Sequence, residues 1–225
     1  MLILLSVAIA PGLALFSYFY LRKQIAREPS KTLFHAFLYG AILTFPILFL
    51  QYVFEEEGTF SSAFVQNVLF TSSLEEFFKW LILIVAIYKH VNFEDPYDGI
   101  LYGVSVSLGF ATVENILYLV TFGVDTAFIR ALLPVSSHAL FGVVMGYYIG
   151  KAKFSTFQPQ QLLLIALLAP LLLHMIYNTI LSSQGVWLYF MVPFMLFLWW
   201  FGLKKVKRAH LVTLHFHRKE TESNI

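Results

Sequence analysis

The sequence predicts an all-α fold: a polytopic membrane helix bundle of about seven transmembrane helices, N-terminus outside and C-terminus cytoplasmic. Three observations carry that expectation. Hydrophobic residues make up 59% of the chain and charged residues only 12%, with a mean hydropathy of +0.74, so the charge content is about half that of a soluble domain. Seven apolar windows reach roughly the 20 residues that cross a hydrocarbon core. Every Lys and Arg except Lys79 and Arg130 falls on one side of those windows, as cytoplasmic loops require.

The first window, roughly 2–21, reads as a retained helix rather than a cleaved leader, because no basic residue precedes it and it stays apolar up to Arg22-Lys23. Pro11-Gly12 predicts a kink within it. The second, roughly 33–54, ends before the acidic run Glu55-Glu56-Glu57, and the third, roughly 65–88, is apolar apart from Glu75, Glu76 and Lys79. The fourth, roughly 99–122, sets Gly99, Gly103 and Ser107 on one face, and the fifth, roughly 131–149, sets His138, Gly142, Gly146 and Gly150 on one face. Small-residue stripes let helices approach closely in lipid, so His138 is expected to point into the bundle. The sixth, roughly 162–182, holds His174 and Asn178, and the seventh, roughly 186–203, follows closely. The runs are continuous rather than alternating, which indicates helices and not barrel strands.

Residues 1–203 therefore read as one membrane-embedded domain and 204–225 as a basic cytoplasmic tail, expected to anchor on anionic headgroups. Arg22, Lys23, Arg27 and Lys31 lie between helices one and two, Lys89 between three and four, and Lys151 and Lys153 between five and six. Lys204, Lys205, Lys207, Arg208, Arg218 and Lys219 follow helix seven. The opposite loops hold only Arg130. Glu94-Asp95-Pro96 reads as an ordinary turn. The absence of cysteine excludes disulfides and cysteine-based metal or nucleophile chemistry. The surroundings expected are a lipid bilayer and a bacterial plasma membrane, with no nucleic acid partner.

Glu75, Glu76, Lys79, Glu114, Asn115, His138, His174 and Asn178 all lie within apolar windows. A charge at bilayer depth costs roughly 2.5–3.5 kcal/mol even on the lenient insertion scale, so these residues need partners, water or a function. At about 1.5 Å per residue from the extracytoplasmic helix ends, Glu75 and Glu76 fall near about 16 Å, Glu114 and His174 near about 12 Å, and His138 near about 10 Å. Four helices thus deliver ionisable groups to one layer in the outer half of the membrane. Lys79 stands three and four residues after the two glutamates, so either carboxylate can neutralise it. Adjacent residues diverge by about 100° around a helix, so one glutamate is expected to act while the other holds Lys79. A structural ion pair would account for Glu75, Glu76 and Lys79 alone but leaves the remaining carboxylate unexplained. For Asn115 and Asn178 an interhelical hydrogen bond competes evenly with a catalytic role.

No glycine-rich phosphate loop, placed Ser or Cys nucleophile, or His-Glu-x-x-His is present. Carboxylate, imidazole and amide remain. That set suits a glutamate taking a proton from water while histidine and asparagine stabilise an oxyanion. Metal-free chemistry with no cofactor is the first expectation; zinc held by Glu76, His138 and His174 also satisfies the ligand rules. A proton-coupled transporter would also bury Glu and His, but the internal repeats usual in transporters are not detectable. A non-catalytic membrane scaffold would keep the histidines without needing the glutamates.

Glu75-Glu76-x-x-Lys79, Phe110-x-x-x-Glu114-Asn115, His138-x-x-x-Gly142 and His174-x-x-x-Asn178, in that order on successive helices, resemble the PrsW family of bacterial membrane proteases over essentially the whole chain. The resemblance implies an endopeptidase that cuts the extracytoplasmic region of a single-span anti-sigma factor, starting regulated intramembrane proteolysis and release of a stress-response sigma factor. PrsW proteins are in turn similar to the CAAX prenyl endopeptidases. That likeness implies Glu75 as base with His174 and Asn178 at the oxyanion. The chain departs from the CAAX pattern in having Lys79 one position early and Glu114 where that group has histidine, which leaves His138 and Glu114 both open as the water-activating partner.

Overall fold

The computed structural model describes residues 2–23, 30–60, 62, 64–90, 92–183 and 185–223, without the side chains of 219–223. Among the described residues there are no strands, and all seven expected helices are present: α1 (Leu2–Leu21), α2 (Ser30–Glu56), α3, α4 (Pro96–Phe122), α5 (Val124–Lys153), α6 (Pro159–Ser182) and α7 (Trp187–Ser223). Six of them are long and apolar enough to cross a membrane. The exception is α3, which carries Glu75, Glu76 and Lys79. It consists of an α-helical centre, Thr71–Ile82, between two π-helical segments, Val65–Phe70 and Leu83–Ile87. Such widened turns recur at functional sites.

α4 is the axis of the bundle: 78% of its apolar window is buried, against 17% for α1. The α4–α5 crossing follows the small-residue stripes. A Cβ on Gly146 would sit 2.0 Å from the Gly99 carbonyl oxygen, and one on Gly103 would sit 2.3 Å from that of Gly142. Backbone therefore packs on backbone, and dispersion between close main chains replaces the hydrophobic drive that lipid cannot supply. His138 continues that stripe and is buried, as its register predicts. α1 runs helically through Pro11, and Gly12 meets Thr112 of α4, where a Cβ would lie 2.5 Å from the hydroxyl.

Two local expectations change. The sequence places Arg130 in a loop, but α5 begins at Val124 after the single linking residue Gly123 (φ +85°), so Arg130 is helical and buried. Glu94-Asp95-Pro96 is more than a turn. Asp95 caps α4, its carboxylate accepting from the Tyr97 and Asp98 amides, and Asp98 completes the capping box. Both carboxylates also bind the buried ammonium of Lys23, with Asp95 at 2.9 Å.

Residues 204–223 continue α7 as helix, and Val206, Ala209 and Thr213 extend a buried face at helical spacing. The Tyr97 amide donates to Thr213 Oγ1 (3.1 Å), and Tyr97 stacks on His210 with centroids 4.3 Å apart. Lys204, Lys207 and Arg208 face outward. Of the basic residues read for sidedness, Arg27 lies outside the described residues, as does the side chain of Lys219.

Candidate active site

The ionisable residues that the sequence distributes over four windows meet in one cluster. α3 supplies Glu75, Glu76 and Lys79, α4 supplies Glu114, α5 supplies His138 and α6 supplies His174; Glu76 and Lys79 are 0% exposed. Lys79 Nζ donates to Glu76 Oε1 at 2.9 Å and to Glu75 Oε2 at 3.4 Å. Both glutamates therefore reach the lysine, where only one was expected to. Offsets of three and four residues straddle Lys79 from two sides of its own helix face.

The two carboxylates differ in their other partners. Glu76 also receives His174 Nδ1 at 3.0 Å on the same Oε1 and is enclosed. Its Oε2 is buried with no hydrogen-bond partner. Glu75 lies at the edge of the cluster, where Gln51 Nε2 of α2 donates to its Oε1 at 3.3 Å and His138 Nε2 stands 4.0 Å from its Oε2.

His138 links the cluster to an outer layer. Its Nδ1 is 3.1 Å from Lys79 Nζ. An ammonium offers only donors, so Nδ1 accepts and the ring proton resides on Nε2. That Nε2 faces Glu114 Oε2 at 3.2 Å. Arg130 holds Glu114 from the other side (3.4 Å) and donates from Nε to Asn115 Oδ1 (2.9 Å), with its guanidinium 3.9 Å from the Tyr118 ring centroid. Asn115 in turn donates to the Ala8 carbonyl (2.9 Å). Both ends of the Asn115 amide are thus spent on helix contacts.

Asn178 is likewise committed. Its amide nitrogen donates to Ser72 Oγ (2.9 Å) and to the Asn67 carbonyl (3.2 Å), tying the C-terminal part of α6 to the π-helical opening of α3. A cavity of about 420 Å³ lined by Asn67, Thr71, Asn178, Leu181 and Ser182 lies there, with Thr71 one turn from Glu75 and Asn178 one turn from His174.

One oxygen or nitrogen from each of Glu75, Glu76, His138 and His174 can be chosen so that all four lie within 4.8 Å of one another, and all four residues are buried. Two carboxylates and two imidazoles match the oxygen and nitrogen ligands of zinc, and the partnerless Glu76 Oε2 is an acceptor without a donor. The residues present therefore fit a divalent metal. Gln51, Ser72 and Arg130 are site residues that the sequence reading did not assign. A glutamine in an otherwise apolar span could have flagged Gln51; nothing local distinguishes Ser72.

The description PrsW family intramembrane metalloprotease matches residues 28–201. A protein named Protease PrsW from Bacillus subtilis (strain 168) is 51% identical, covering 95% of this chain and 99% of its own length. One of the same name from Geobacillus kaustophilus (strain HTA426) is 50% identical over 92% of both chains. A third, from Clostridioides difficile (strain 630), is 31% identical over 90% of this chain and 89% of its own. No solved structure matches.

Proposed function

Since the chain belongs to the PrsW family of intramembrane proteases, we propose that it cleaves peptide bonds with water activated among Glu75, Glu76, His138 and His174. It is a multi-pass bacterial membrane peptidase. The supporting observation is the convergence of four buried donor residues from three helices on one point.

Glu75 is the working base in this reading. It has the looser partners, a neutral amide and a lysine at 3.4 Å, whereas Glu76 is enclosed by Lys79 and His174. Glu76, His138 and His174 would hold a zinc ion, with Glu114 behind His138 as the orienting carboxylate. A bound zinc supplies Lewis acidity that brings the pKa of its water down to about 7. Ser72 and Asn67 hold Asn178 at the rim, where it would orient the peptide rather than receive the oxyanion. A metal-free reading is supported by the Lys79 ammonium, a positive charge already present among the same donors.

The substrate of this reading is the extracytoplasmic part of a membrane-anchored, single-span anti-sigma factor, whose cleavage would start regulated intramembrane proteolysis. It takes the N-terminus as extracytoplasmic and the C-terminus as cytoplasmic, supported by basic loops gathered at the opposite end from the cluster. Co-expression of an anti-sigma factor with Glu75→Gln, Glu76→Gln or His174→Ala tests it. Cleavage should stop in all three when compared at matched abundance; full cleavage in all three ends the proposal. Activity that survives exhaustive chelation and shows no bound metal favours the metal-free form.

A further inference from the structure

The position of Lys79 bears on the metal question. Its side chain is fully buried, and its nitrogen contacts Glu76 Oε1 (2.9 Å), His138 Nδ1 (3.1 Å) and Glu75 Oε2 (3.4 Å). Those are three of the four residues that could ligate a metal. An ammonium has three N–H donors, and three acceptors surround it. The ring of Phe110 closes a further side, its centroid 4.3 Å from the nitrogen.

His138 is already in the tautomer that a metal needs. The nitrogen facing the lysine presents its lone pair, and the other nitrogen faces a carboxylate, Glu114, at 3.2 Å. Carboxylate, imidazole and cation in a row is the arrangement that orients a metal-ligating histidine. Here the cation at its end is Lys79.

We propose that Lys79 and a divalent metal ion compete for the same donors, so that the lysine acts as the protein's own stand-in cation and sets the metal affinity of the site. Two consequences follow from charge alone. Without metal, Lys79 keeps the buried Glu75–Glu76 pair from lying uncompensated, which lets the helices assemble. With metal, the ammonium must leave its contacts, because two cations at the same oxygens repel at short range in a medium of low dielectric. The site then binds metal more weakly than its donor set alone would.

This inference rests on the metal-dependent form of the proposed function. The test uses the full chain in detergent or nanodiscs, as wild type, Lys79→Met and Lys79→Arg, with zinc ion as the probe. Zinc affinity is read by competition with a chelating dye, and the melting temperature with and without zinc. Lys79→Met should bind zinc at least tenfold more tightly than wild type, melt lower without zinc, and gain more on adding it. Lys79→Arg, which keeps the charge, should bind no more tightly than wild type.

Equal zinc affinity in wild type and Lys79→Met overturns the competition while leaving the metal reading intact. Absence of zinc binding in every form removes the metal reading and this inference with it. Should Lys79→Met not accumulate, Lys79→Gln carries the same comparison. Failure of both neutral variants to accumulate in zinc-supplemented medium also counts against the inference, since zinc should replace the missing charge.

Discussion

His174 Nδ1 lies 3.0 Å from Glu76 Oε1, joining α6 to α3 inside the bundle through two residues that the sequence separates by 98 positions. A carboxylate accepts, so this nitrogen carries the proton and the lone pair of the ring is on Nε2. The contact gives Glu76 two close partners, His174 at 3.0 Å and Lys79 at 2.9 Å, where its neighbour Glu75 has the longer contacts to Gln51 and Lys79 at 3.3 Å and 3.4 Å.

That difference separates the two glutamates experimentally. Glu75→Gln should lower kcat by about 10²–10⁴-fold, as loss of a general base does, with little change in melting temperature. Glu76→Gln should cost stability too, about 3–5 kcal/mol, because a buried ion pair loses one partner. Cleavage assays paired with thermal melts in detergent check this, and equal melting temperatures for the two variants would refute the assignment.

The glycine stripe predicts a steep contrast in tolerance. A Cβ on Gly146 would lie 2.0 Å from the Gly99 carbonyl oxygen, so Gly146→Ala must push α4 and α5 apart. The expected loss is about 1–3 kcal/mol or more, visible as a lower yield of monodisperse protein. Gly58→Asn, at a positive φ of +59° with nothing within 4 Å, should leave that yield unchanged.

Arg130 is expected to act through Glu114. Arg130→Met removes the guanidinium that holds both Glu114 and Asn115, and should reduce kcat by about 10–100-fold, the scale of outer-shell partners behind a ligating group. Arg130→Lys keeps the charge but lacks the fork that serves two acceptors. It should fall between wild type and Arg130→Met in the same assay. Full activity of Arg130→Met would show that Glu114 needs no such support.

The cluster of Lys23, Asp95 and Asp98 has a defined pH behaviour. Burial opposes the charge on Lys23, but Asp98 and Asp95 outweigh it and hold the ammonium above its ordinary value of 10.5. A group raised on folding contributes its stability fully below the ordinary value and loses it as pH climbs through the raised one. The melting-temperature gap between wild type and Lys23→Met should therefore be constant from about pH 7 to pH 9 and close only in stronger alkali. A gap that closes within that range would contradict the assignment. Lys23→Met should also loosen the α7 extension, read as faster amide exchange across residues 204–218, because Asp95 contacts both Lys23 and Thr213.

Much of this architecture is written locally in the chain. Windows of apolar residues specified seven helices because a span in lipid must satisfy its backbone within itself. The glycine spacing on α4 and α5 specified their crossing, and that crossing aimed His138 inward. The cost of buried charge singles out Glu75, Glu76, Lys79, Glu114, His138 and His174 from the sequence, and all six meet. Other features depended on neighbours that periodicity does not encode. Arg130 changed from loop residue to buried partner because α5 starts after a one-residue link. Gln51 and Ser72 acquired roles only from what α3 and α6 set beside them, and the basic tail became part of the bundle because Asp95 and Tyr97 offered Thr213 a seat. Hydropathy and helical period fix which residues must hide from lipid. Which hidden group touches which is decided by the distances between helices, and only the folded chain sets those.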